Sequence, residues 1–164
     1  MAPRREDFGS WLEGTPGTRE PRESSTLGLP SQGSGSLAPV GRRVVALVVD
    51  WALSMAVASI FWPEPGQSGV LAAQSWATLA VFAGSTAVFV SLLGHTLGHR
   101  LLGLRVVRLA VDPEGVRRPL PGPPGLLAGA VRTALLCLVI PPVVWNRDGR
   151  GLHDLAASTA IVRR

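Results

Sequence analysis

Asp50 sits seven residues beyond Arg43, inside an apolar stretch that reads from Arg43 to Trp62. Hydrocarbon opposes charge, so an acid held there needs a partner or a task. Two chemistries suit a carboxylate in that setting. It can bind and release a proton or a cation, or it can clasp a basic group on another helix. On a helix, Arg43 and Asp50 face nearly the same way, two turns apart. Arg43 then lies at head-group level and Asp50 about 10 Å deeper, too far for direct contact unless long side chains bend. Arg132 has a matching depth: it is six residues past Leu126, as Asp50 is six past Val44. That register permits an Asp50–Arg132 ion pair between helices. The pair His153-Asp154 has the form of a base with its orienting acid, although interfacial hydrogen bonding is its simpler reading. His95 and His99 have the i, i+4 spacing of metal ligands. Gly94 and Gly98 oppose a stable helix there, and no Cys or Glu nearby completes a set. No nucleophile motif or phosphate loop accompanies these residues, so the chain is not expected to be an enzyme, and neither a metal nor a cofactor is expected.

The elements that must position these groups are apolar. Hydrophobic residues make up 46% of the 164 residues and charged ones 16%, below the ~25% usual in soluble domains. That balance fits a small polytopic membrane protein. The first apolar segment covers about 44–62 and ends at Pro63 and Pro65. Its nineteen residues span ~28 Å, close to the hydrocarbon thickness. The second, about 71–93, has no ionisable side chain, and pairs such as Ala80–Gly84 let helices approach closely. The third, about 126–145, follows Gly125 and Gly129, contains Arg132 and is broken at Pro141-Pro142. Its ~20 residues favour a full crossing over a re-entrant path. Between the second and third lies an Arg-rich loop whose stretch 103–116 alternates and then turns, as a short β-hairpin or as an amphipathic segment on the membrane surface. The fold class expected is all-α, with three apolar helical segments and that loop on the cytoplasmic side.

Residues 1–39 are rich in Gly, Pro, Ser and Glu, with almost no apolar periodicity, and read as a disordered tail before a transmembrane domain at 40–164. No cleavable signal peptide is evident. All 16 basic residues are Arg, and the Arg, Ala, Gly and Pro usage suggests a GC-rich bacterial genome. The net charge of +5 does not argue for nucleic acid, because the Arg residues flank apolar segments, as in positive-inside anchoring and contact with anionic head groups. That distribution puts the N-terminus and the Arg-rich loop in the cytoplasm of a bacterial inner-membrane protein. Cys137 is a lone thiol in an apolar run and reads as a small hydrophobe.

These motifs, in order, resemble the RDD family of small bacterial membrane proteins. The match rests on Arg43-VV-Ala46-LVV-Asp50, then Gly94-HT-LGH-RLLGLRVV, then Arg132, then Arg150-GLHDLAAST-AIV, and covers roughly 40–162. The Arg and two Asp that name the family fall on Arg43, Asp50 and Asp154. The family pattern Gly-x-Thr-x-Gly-Lys appears here as Gly94-His95-Thr96-Leu97-Gly98-His99, with His in place of Lys. If that Lys contacts phosphate or lipid in relatives, the contact here is weaker and pH-dependent. The resemblance implies a multi-pass membrane protein that moves a cation, a proton or a small solute, with Arg43, Asp50, Arg132, His153 and Asp154 as its polar residues. Three spans are too few to enclose a path, so transport implies a homo-oligomer or a partner membrane protein. The competing expectation is a membrane scaffold in which the same residues lock helix packing. The transported ligand, the oligomeric state and the role of the tail are not legible in the sequence.

Overall fold

The computed structural model describes residues 27–69, 72–138 and 150–164. Two long helices, α1 (Val40–Phe61) and α2 (Ser75–Leu93), pack side by side. Their 22 and 19 residues rise ~33 and ~28 Å, enough to cross a membrane. Only 17% and 33% of their apolar windows are buried, whereas the core helix of a soluble protein would be mostly covered. The outward residues include Val48, Ile60, Phe61, Trp76, Val88 and Leu92, so the face left open is the one lipid would cover. Trp51 against Phe82, with ring centroids 5.3 Å apart, ties the helices at mid-length. Trp62 and Trp76 meet at their far end, where aromatic belts sit.

Gly94 ends α2 in the left-handed conformation, φ 72°, which a side chain would strain. Helix α3 (Leu97–Leu101) follows and lies on α1. Strand β1 (Leu104–Val111) then pairs antiparallel with β2 (Arg117–Pro119). Their turn is set by Asp112, whose Oδ1 accepts the Glu114 and Val116 amides at 3.0 and 2.8 Å. Helix α4 (Leu126–Cys137) packs on α2, and α5 (Leu152–Ala156) packs on α4. Strand β3 (Thr159–Arg163) completes a sheet ordered β2-β1-β3.

The sheet corrects the all-α expectation. Strand β1 buries both faces, and that requires cover on each side. Leu104 and Val106 join Ile161 of β3 against Ala46 of α1 and Val90 of α2. Val107 and Leu109, with Ala160 and Val162, face the other way and are covered by Leu27, Leu29 and Leu37. The sequence reading gives 1–39 as one disordered tail, but residues 35–38 lie along β3, and Leu27 and Leu29 pack on the sheet. Gly35 and Ala38 donate to the Arg163 and Ile161 carbonyls at 2.9 Å each, and Arg163 donates back to Ser36 at 2.9 Å. Burying a leucine such as Leu27, 1% exposed, contributes about 1.5–3 kcal/mol, which offsets the entropy of ordering a Gly-rich stretch. The remainder of that tail, 1–26, lies outside the described residues.

The third apolar segment also differs from expectation. Helix α4 holds 12 residues and rises only ~18 Å, short of the hydrocarbon thickness. The rest of that segment, 139–145, lies outside the described residues. Strand β3 pairs with β1, and β1 follows directly from the end of α2 that carries Gly94. The start of α1, the end of α2 and the C-terminal strand therefore meet at one end of the molecule. The expected full crossing by 126–145 falls in part on residues outside those described.

Candidate functional site

The site lies where α1, α3, α4 and α5 converge beneath the sheet. Its centre is Asp154, whose side chain is 0% exposed. Asp154 Oδ1 accepts from Arg132 Nε at 2.8 Å and from Thr159 Oγ1 at 3.1 Å. Arg43 Nη1 stands 4.0 Å from Oδ2 and His153 Nε2 3.6 Å from it. Burial opposes ionisation of this carboxyl, but Arg132, His153, Arg43 and the Thr159 hydroxyl outweigh burial and hold it below the ordinary carboxylate range. Arg43 and Arg132, 7% and 2% exposed, thus converge on one acid from two helices. Arg150, 1% exposed, is buried just before α5.

Helix α4 reaches this position because Gly129 allows a close approach to α2. A Cβ there would clash with Ser91 Oγ and stand 3.1 Å from Ser91 Cβ. Arg132, three residues on, shares the Gly129 face of α4 and is directed inward.

Asp50 belongs to a second cluster in the same region. Its Oδ1 accepts the Gly98 amide at 2.8 Å, and its Oδ2 lies 2.5 Å from Thr96 Oγ1. Thr96 is also the N-cap of α3. Its Oγ1 accepts the His99 amide at 3.1 Å, and the Thr96 amide donates to His99 Nδ1 at 3.3 Å, a capping box with His in the third position. Gly98 is required here: a Cβ would clash with the Ala46 carbonyl oxygen and stand 2.9 Å from Asp50 Oδ2. His99 is pushed down to about 3 by burial first, with Arg132, His95 and Arg43 adding to the effect and Asp154 opposing it. It is therefore a neutral imidazole at physiological pH.

Both clusters face one cavity of about 70 Å³. Arg43, Asp50, Thr96, His99, Arg132 and His153 are among its polar lining residues, and Val44, Leu47, Phe82 and Leu136 among its apolar ones. At ~10–15 Å³ per water-sized probe, it has room for a few waters or one small ion.

All five residues singled out in the sequence, Arg43, Asp50, Arg132, His153 and Asp154, meet in this region. The pairing differs from the expected one. Arg132 bonds Asp154 rather than Asp50, because α5 brings the acid to Arg132 while α3 supplies Asp50 with neutral donors. His95 and His99 do not share a helix, since α3 begins at Leu97. Among the described residues, no group of three His, Cys, Asp or Glu is placed to hold a metal ion. Thr96, Gly98 and Thr159 complete these contacts without having stood out by residue type; the Gly94–His99 motif holds the first two and the motif from Arg150 the third.

A helical hairpin with apolar outward faces, capped at one end by a small sheet and enclosing buried Arg–Asp contacts, suits a membrane protein. The family model of the RDD family matches residues 37–158. The chain belongs to the RDD family. No curated protein and no solved structure matches it.

Proposed function

We propose that this RDD protein moves a cation or a proton across the bacterial inner membrane as an oligomer, with Asp50 as the group that takes up and releases it. The observation that carries the reading is the cavity of about 70 Å³ between α1, α2 and α4, onto which Asp50 opens. A packing acid has no need of an adjoining space. In this reading Asp154 is the fixed counter-charge that keeps Arg43 and Arg132 in place, so that the two guanidiniums do not neutralise Asp50. The reading is non-enzymatic and uses no cofactor. Two long helices are too few to surround a path, so a second copy or a partner membrane protein completes it.

The protein is read as multi-pass. The Arg distribution supports a cytoplasmic N-terminus and sheet. Exposed Arg105, Arg108, Arg117 and Arg118 suit anionic lipid head groups. No nucleic acid is involved.

The test is ion flux in proteoliposomes. A Na⁺ or K⁺ gradient is imposed and internal pH followed, for wild type and Asp50→Asn. Cation-dependent proton movement that vanishes in the variant supports the reading; no flux from folded, inserted wild type overturns it. A second reading, a membrane scaffold, is favoured by the complete burial of Asp154 between two arginines. It predicts no flux and retained assembly in Asp50→Asn.

A further inference from the structure

The hydrogen count around Thr96 leads beyond a single carrier acid. Thr96 Oγ1 lies 2.5 Å from Asp50 Oδ2 and 2.7 Å from His99 Nδ1. Each contact needs a hydrogen between its two heavy atoms. The hydroxyl supplies one, so the other belongs to Asp50 or to His99 Nδ1. The Thr96 amide, which donates to Nδ1, favours Nδ1 as acceptor and places the ring proton on Nε2. The hydroxyl then donates to Nδ1, accepts from the His99 amide, and accepts a proton carried by Asp50. Both Asp50 oxygens, the Thr96 hydroxyl and His99 Nδ1 have partners in that arrangement.

From this geometry we infer that Asp50, Thr96 and His99 form a proton relay, through which Asp50 exchanges its proton by way of the His99 ring. In the transfer, the Asp50 Oδ2 proton passes to Thr96 Oγ1 as the hydroxyl proton passes to His99 Nδ1. His99 then gives its Nε2 proton to water. The products are an Asp50 carboxylate, still bonded by Gly98 and now accepting from Thr96, and a neutral Nδ1–H imidazole. The transfer itself moves no heavy atom, and the Thr96 amide gives up Nδ1 as its acceptor. The reverse sequence reloads Asp50. The ring is a transient cation only: Arg43 from α1, Arg132 from α4 and His95 from its own loop oppose a lasting charge, while Asp154 from α5 and the newly formed Asp50 carboxylate favour it. The inference deepens the transport reading and rests on it for the purpose of the proton; the relay itself is detectable without transport.

The test uses the full chain in proteoliposomes of defined lipid, with difference infrared spectroscopy across an alkaline pH jump and, in parallel, a pH-sensitive dye inside. The Asp50 carboxylic acid band is assigned by its loss in Asp50→Asn. Wild type is expected to lose that band as the imidazole signature changes from Nε2–H to Nδ1–H. Thr96→Ser, which keeps the hydroxyl, retains the coupled change. Thr96→Asn keeps an N-cap oxygen but has no proton to pass on, and His99→Gln has no second ring nitrogen. In both, deprotonation of Asp50 is expected to slow by about a hundredfold, the low end of what a positioned proton-transfer group contributes. Because Ser and Asn are both good N-caps, the contrast between them separates relay from folding. If the Asp50 band responds equally fast in Thr96→Asn and Thr96→Ser, or no acid band is present in wild type, the relay is wrong even where flux persists. An intact relay signature with no flux overturns the transport reading and leaves the relay standing.

Discussion

Asp154→Asn tests whether the buried acid holds the site together. The replacement has the same shape and can keep the Thr159 contact at Oδ1. It removes the charge that faces Arg132 at 2.8 Å and Arg43 at 4.0 Å, with side chains 0%, 2% and 6% exposed. Arg132 and Arg43 then both lose the Asp154 charge. Removing one partner of a buried pair costs about 3–5 kcal/mol, so Asp154→Asn is expected to fall in that range. For a chain of 164 residues that is a fall of roughly 10 °C in Tm, at ~2–4 °C per kcal/mol. Arg132→Met is expected to cost less, because Arg43 remains beside the acid. The double variant is expected to lose less than the sum, with a coupling of about 1–3 kcal/mol. The assay is unfolding in mixed detergent, followed by tryptophan fluorescence. The pH dependence has a definite sign. The folded-state carboxyl titrates below its ordinary value, so the unfolded chain takes up the proton first as pH falls below about 4. The stabilisation is complete at neutral pH and lost on the acid side, and Asp154→Asn lacks that acid limb. A loss under about 1 kcal/mol, or strict additivity in the cycle, would refute the account of Asp154 as the lock.

Three further outcomes follow from other contacts. Gly98→Ala is expected to push α3 off α1 and break the Gly98–Asp50 hydrogen bond, costing at least about 1–3 kcal/mol in unfolding titrations; wild-type stability would contradict the close approach. His99 titrates at about 3 when folded and near 6.5 unfolded, so stability is complete above about 6.5 and falls as pH drops toward 3, by up to about 1.4 kcal/mol per unit. His99→Gln should flatten that part of the stability–pH curve, and an unchanged slope would count against a buried neutral ring. Leu27→Ala is expected to cost about 2–5 kcal/mol and to expose the amides of residues 35–38 to hydrogen exchange, while α1 and α2 stay protected; unchanged exchange would mean the stretch does not cover the sheet.

What the sequence by itself determined is what can be read from contiguous stretches. The two long helices follow from uninterrupted apolar runs, and the β1–β2 hairpin from an alternating run followed by Asp112 and Gly115. Arg43, Asp50 and Arg132 stood out because charge is costly among apolar neighbours, and His153 and Asp154 as an adjacent base and acid in the family motif. Those signals are local, so a single segment carries each of them. The pairing of the candidates was not local. Asp154 meets Arg132 across 22 positions and Asp50 meets Thr96 across 46, and matching depth along two helices does not say which face α3 or α5 will occupy. Only the assembled sheet decided that. Once β3 pairs with β1, the C-terminal strand must return to the side where α1 begins, Asp154 is brought under Arg132, and residues 27–39 gain an apolar face to cover. No short window of sequence holds that information, because it comes from backbone hydrogen bonds between segments more than forty residues apart.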